Sequence, residues 1–454
     1  EPIAGITHAP RRSLSLAPTS EGAWRARDFD ELVDSPVEMG LHDVYRFRAA
    51  DRDHALVVWG AKLCLRFDPR RLVDDLARVL EAEVRLYGEA PYERYTFFLQ
   101  LTPGGRGGLE HAQSAVLQAG LDAFETEDAY HDLLALFAHE FLHLWHVKRV
   151  KPAGLTPMDY ASERYTRALW LFEGATSYYD RLALRRAEVV TPAAYLKHLA
   201  GEIARLEDTP GRLVQSLEEA SFDAWIKLYR GDENTLNSTV SYYLKGEIVS
   251  ALLDLEIRAR TGGQRSLDDV FRHLWREHGI THKPVPESGF EAIVAAATDC
   301  DLSDVIDAWV RTTEALPYAD VLARVGLTLR HRPGRGAALG IKLRGEHGRA
   351  VVASVLRGGA ADRAGVCAGD EIIGFNRRRV DETSLRERLR RARELIGQPV
   401  ALLVARREEL RELTVTPAEA PPEAWEIVPT PGAPMHQRRL VGSWLGEAAL
   451  SLWG

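Results

Sequence analysis

Cysteine is scarce and scattered. The 454 residues hold three, Cys64, Cys300 and Cys367, too few and too far apart for a zinc ribbon or a disulfide framework, so they leave the redox compartment unread. No apolar run approaches the roughly 18 residues that a membrane-spanning helix needs. A basic excess is missing too. Against 58 Lys and Arg stand 66 Asp and Glu, a formal net charge of −8, which argues against a nucleic-acid binder. There is no long internal repeat and no low-complexity tract. The chain opens on Glu1 instead of methionine, so a removed leader or preceding domain is an open expectation and localisation is unknown.

What is there is an ordinary globular composition, 45% hydrophobic and 27% charged, on a chain too long for one core; two or three domains are expected. Residues 1–27 lack periodicity and read as an extended segment. From Asp28 onward the short alternating runs VYRFRA, HALVVWG and YERYTFFLQL predict strands, with one helix, RRLVDDLARVLEAEVRLYG, between the last two. Apolar spacings of three and four predict a mostly helical stretch over 130–320. RHRPGRG at 330–336 has linker composition. The expected division is therefore 28–320 (a mixed part to 129, then a helical part), a smaller strand-rich domain over 330–415, and a tail over 416–454 ending in a helical patch.

The chemistry concentrates in HEFLHLWH, His139 to His146. Its helix is strongly apolar (Leu133, Leu134, Phe137, Phe141, Leu142, Trp145), so it predicts a buried element. His139 and His143 are four apart and project from one face, able to share a metal ion. Glu140 follows the first histidine and can reach a water on that ion without ligating it. Three buried ionisable groups with nothing to bind would be costly. Catalytic zinc takes three protein ligands and keeps a place for water. His146 would lie about 10.5 Å further along a straight helix, too far to close that geometry, and is expected to be a supporting or surface residue. Glu173, in the next helical run LWLFEGATSYYD, is the better third ligand. The prolines and glycine of VKRVKPAGLTPMDYAS let the chain turn back to deliver it.

These stretches, followed by SYYLKGEIVSALLDLEIR and preceded by DFDELVDSPVEMG and GGLEHAQS, resemble the glycyl aminopeptidase family, gluzincin zinc metallopeptidases with a C-terminal PDZ domain. The resemblance covers about residues 28–415. It departs at His146, where the family usually has asparagine, and in the β-rich domain that usually precedes DELVDSP, where about 25 residues stand here. It implies an α+β multidomain fold, with a thermolysin-like (gluzincin) catalytic domain of mixed sheet plus helical half, and one catalytic Zn2+ on His139, His143 and Glu173. It implies that Gly107 and Gly108 let backbone approach a peptide and that Glu110 pairs with the peptide's free α-ammonium group, although by residue type Glu110 is also an ordinary loop acid. It implies Tyr243 as hydrogen-bond donor to the oxyanion, with Tyr242 able to serve in its place. The activity implied is removal of small N-terminal residues, glycine or alanine. Two other readings stay open: an endopeptidase on the same scaffold, and an inactive relative that binds peptide.

Further on, AVVASVLRGGAADRAGVCAGDEIIGFN resembles a PDZ domain through Ala361, Ala364, Gly365, Gly369, Asp370, Ile372 and Asn376. The loop Ala338-Leu339-Gly340-Ile341 is the expected carboxylate-binding loop for the C-terminus of a peptide ligand. The domain is equally able to serve as a fixed wall of the catalytic cleft. The partners expected are peptides with a free N-terminus and a C-terminal peptide at the PDZ domain, with no nucleic acid and no membrane span.

Overall fold

Alternation of apolar and polar residues becomes strand in the three runs where the sequence predicts it, and two further strands join them. Asp43–Ala49 (β1), Arg52–Trp59 (β2), Arg94–Leu101 (β3), Arg106–Glu110 (β4) and Ser114–Ala119 (β5) form one mixed sheet of order β1-β2-β3-β5-β4. The β2–β3 and β3–β5 pairs are parallel; β1–β2 and β4–β5 are antiparallel. That order leaves β4 at an edge, where its outer main-chain groups are available to another strand. The computed structural model describes residues 11–14, 16–18 and 23–454. Most of the extended segment expected at 1–27 therefore lies outside the described residues, although Arg11–Leu14 pairs antiparallel with Val37–Gly40.

The crossover from β2 to β3 is the helix Pro69–Tyr87 (α1). Asp68 caps it by accepting from Arg70 and Arg71 N–H, Pro69 opens it, and Gly88 closes it at φ +87°. Helix Glu127–Leu142 (α2) starts on a Thr126 cap and is buried along much of its length. Phe137 and Phe141 meet Phe97 and Tyr95 of the sheet edge to face, with ring centroids 5.2 and 5.0 Å apart. Each such buried aromatic contributes about 1.5–3 kcal/mol. After α2 the chain returns through Trp170–Gly174, a π-helical turn, into helix Ala175–Arg186 (α3).

The chain divides into two compact units. One holds the residues through Tyr195 with Ser250–Ser303 and Pro434–Gly454; the other holds Leu196–Val249 with Asp304–Ala433. The division differs from the expected 28–320, 330–415 and 416–454, and side-chain contacts explain it. Helix Tyr242–Arg260 (α4) carries the boundary. Asn237 donates to Val355 O and accepts from Arg357 N–H, both at 2.8 Å, which ties the 196–249 stretch to the strand-rich domain. The tail returns to the first unit. Its helix, Met435–Leu445, gives Trp444 Nε1–H to the Tyr178 hydroxyl at 2.8 Å, and Arg185 Nε donates to Leu445 O at 2.9 Å.

In the second unit, Ile341–Glu346 (β6), Arg349–Val355 (β7), Glu371–Phe375 (β8), Val400–Arg406 (β9) and Glu409–Val415 (β10) form an antiparallel sheet in that order. A core of Val352, Ile372, Leu385, Leu402 and Val404 fills it. Helix Glu382–Arg391 (α5) lies beside it, capped by Asp381. No helix among the described residues is long and apolar enough to cross a membrane.

Candidate metal centre and peptide-binding groove

Helix α2 ends at Leu142 and His143 is its C-cap. His139 and His143 therefore share one face, their ring centroids 4.8 Å apart. Glu173 enters from the π-helical turn ahead of α3, a backbone form found disproportionately at functional sites. Its Oε2 lies 3.2 Å from Nε2 of both histidines. Tetrahedral bonds of about 2.0–2.1 Å put neighbouring ligand atoms about 3.3 Å apart. The three donors lie within 4.8 Å of one another, and nitrogen, nitrogen and carboxylate oxygen suit zinc. The donor set fits one ion.

The outward nitrogens are fixed from behind. His139 Nδ1 lies 3.1 Å from Asp180 Oδ2, and His143 Nδ1 lies 2.9 Å from His146 O. Both acceptors require an Nδ1 proton, which leaves Nε2 of each ring turned toward Glu173. Burial alone would lower the pKa of His139, but Asp180 and then Glu173 outweigh it and raise it well above the usual histidine value. His143 behaves likewise: burial lowers it, and Glu173 overrides that and lifts it to about 9. Glu173 is pushed up by burial, yet His143 and His139 bring it down to about 2. The site is a partly buried carboxylate that demands positive charge, which protons or a divalent ion can supply.

Glu140 is held differently. It is 4% exposed, its Oε2 makes no hydrogen bond among the described residues, and burial raises its carboxyl to about 7 against the pull of His139 and His143. Edge strand β4 passes directly over it. A Cβ on Gly108 would collide with the Glu140 carboxylate, so only glycine lets the strand come this close. Gly107, at φ +112°, adopts a conformation open to glycine. Glu110, at the end of the same strand, has a carboxylate oxygen within 4.8 Å of Glu140 and His143 donors. The first unit thus brings together Glu110, Gly107, Gly108, His139, Glu140, His143 and Glu173.

His146 is not at the surface. It is 1% exposed, its ring lies 4.5 and 4.4 Å from those of Phe172 and Phe271, and neither ring nitrogen has a partner among the described residues. The straight helix assumed for it ends four residues earlier, so the following turn throws the ring into the core while its carbonyl holds His143. Sequence reasoning missed Asp180, seven residues after Glu173 and so on the same helical face, a spacing that could have revealed it. It also missed Glu83 of α1. That carboxyl is buried, has no partner among the described residues, and is raised well above the usual carboxylate range by burial and then by Asp180.

Tyr243 belongs to the second unit, at the start of α4. Its ring stacks on Tyr242 at 4.6 Å, and its hydroxyl lies 3.1 Å from that of Tyr229. Tyr242 is buried, 2% exposed. In the same unit, Ala361 N–H donates to Leu339 O and Leu356 N–H donates to Gly340 O, both at 2.8 Å. These carbonyls therefore point into the domain, and the trans peptide planes turn Gly340 and Ile341 N–H the other way. Gly340 takes φ +74° to make the turn. Among the described residues β6 pairs with β7 alone, so the loop and an open strand edge adjoin.

Residues 132–249 match the M61 glycyl aminopeptidase family, and residues 328–405 match the PDZ domain. An aminopeptidase N family protein from Idiomarina loihiensis superposes with a TM-score of 0.88 at 28% identity, covering 98% of this chain and 77% of its own. The chain is a peptidase. Part of its first 250 residues is similar to the glycyl aminopeptidases, and it has the expected α+β architecture and a PDZ domain near its C-terminal end. An M1 zinc metallopeptidase from Deinococcus radiodurans also matches, over 68% of this chain and 62% of its own, at 16% identity and a TM-score of 0.46, too loosely to carry an argument. No curated protein matches the peptidase by sequence.

Proposed function

We propose that the peptidase is a zinc-dependent aminopeptidase that removes small N-terminal residues, glycine or alanine, from peptides. The observation that carries this reading is the edge strand β4 lying against Glu140 with Glu110 beside the His139–His143–Glu173 donor set. A peptide pairing with β4 would bring its free α-ammonium to Glu110, where a charge-assisted hydrogen bond would fix the end of the chain. Zinc bound by His139, His143 and Glu173 would polarise the scissile carbonyl and acidify a water. Glu140, poised near 7 by burial, takes the proton of the attacking water and delivers it to the departing amine. Tyr243 is the oxyanion hydrogen-bond donor that the family resemblance implies; within its own unit its hydroxyl lies 3.1 Å from that of Tyr229. The preference for small residues rests on the glycyl aminopeptidase match.

The test is hydrolysis of alanyl- and glycyl-p-nitroanilide, with and without o-phenanthroline, beside Glu140→Gln. The expected result is chelator-sensitive turnover that falls about 10²–10⁴-fold in the variant. N-acetylated peptides should resist cleavage. Cutting of those peptides would instead make the enzyme an endopeptidase.

A further inference from the structure

The PDZ domain carries charge of the sign opposite to the chain as a whole. Residues 328–415 hold 19 Lys and Arg against 11 Asp and Glu, whereas the full chain is at −8. Part of that positive charge lies beside the open edge of β6. Arg386, on α5, reaches across to it: its guanidinium donates to Leu343 O at 3.4 Å and to Glu382 Oε1 at 2.9 and 3.1 Å. Glu382 crosses the same gap. A Cβ on Gly345 of β6 would collide with the Glu382 carboxylate. Two side chains of α5 thus lie over the strand that a peptide would pair with, and one of them holds a main-chain acceptor that the peptide would need.

The register of an added strand follows from the loop. With a terminal carboxylate on Gly340 and Ile341 N–H and antiparallel pairing to β6, the residue two before the last falls opposite Leu343. Side chains alternate along a strand, so that residue and the last one project to the same side. Arg386 must release Leu343 O for the strand to form, and its guanidinium then needs a carboxylate in place of or beside Glu382. We propose that the PDZ groove selects chains that end in a free carboxylate and carry Asp or Glu two residues before the end, with Arg386 reading that acid. Glu382 acts as the internal competitor for the guanidinium. This inference rests on the reading that the PDZ domain takes peptide ligands.

The experiment is fluorescence anisotropy on the full chain, with peptides labelled at the N-terminus, which also denies the peptidase a free amine. Peptides differ only two residues before the end (Glu, Gln or Lys), each as a free acid and as a C-terminal amide. At low salt the Glu peptide should bind about three- to fivefold more tightly than the Gln peptide, as for an exposed ion pair. That preference should vanish in Arg386→Gln and invert toward Lys in Arg386→Glu. Glu382→Gln should tighten the Glu peptide. Free-acid peptides that bind without charge preference, or a preference unchanged in Arg386→Gln, overturn the role of Arg386 and leave peptide binding standing. No binding by any free acid, or equal binding of the amides, overturns the peptide-binding reading and this inference with it.

Discussion

Strands β4 and β6 are both sheet edges with main-chain groups turned outward, yet what stands beside each is different. Next to β4 are three ionisable residues, His139, Glu140 and His143, all at most 13% exposed at the side chain or 4% as whole residues. The two histidines are anchored from behind by Asp180 and the His146 carbonyl. Next to β6 are a carboxylate loop made of backbone amides and two partly exposed side chains, Arg386 and Glu382, at 58% and 29%. Charge is worth far more in the dry setting than in the wet one. The first site can therefore support bond breaking, while the second can bias affinity by only a few fold.

That contrast sets the expected size of each perturbation. Removing the base with Glu140→Gln should have the largest effect, the 10²–10⁴-fold loss given above. Gly108→Ala should come next. The added methyl displaces the Glu140 carboxylate, and a misplacement of about 1 Å costs on the order of 10²-fold in kcat/KM, with zinc content unchanged. Asp180→Asn should weaken zinc binding about 10–100-fold, with activity restored by excess zinc; activity lost without recovery would assign Asp180 another task. The smallest effect belongs to the groove. The Glu-over-Gln preference should shrink further as salt is raised to 0.5 M, since exposed pairs are screened, whereas p-nitroanilide turnover per zinc-loaded enzyme should change little.

The same contrast explains what was legible in the sequence. HExxH and Glu173 declare themselves because side-chain identity at fixed helical spacing is the chemistry. Strands β1 to β3 and helix α1 were legible from periodicity and from the Asp68–Pro69 and Gly88 ends. His146 supports His143 through its carbonyl, one of the two roles expected for it, but its burial was not legible because nothing in its spacing says that the helix stops at Leu142. Glu83 was invisible, since only the tertiary fold brings α1 behind Asp180. Glu382 and Arg386 are four apart and look like any exposed i,i+4 helix pair; their reach to β6 depends on where α5 lies. The unit boundaries were hidden for a similar reason. An amphipathic patch such as 435–445 shows that it will be buried, but not against which partner, and Trp444 finds Tyr178.

The central claim is that His139, His143 and Glu173 together hold one catalytic zinc. Zinc titration of chelator-treated protein by calorimetry, at several pH values and beside Glu173→Gln, tests it most directly. Both histidines are raised above their ordinary values, so at neutral pH the ion must displace protons. The prediction is one zinc per chain, with affinity rising as pH increases from 6 to 8 by up to about tenfold per unit for each proton displaced. In Glu173→Gln the binding should be greatly weakened. Zinc held equally well by Glu173→Gln, or full p-nitroanilide turnover by metal-free protein, would contradict the claim.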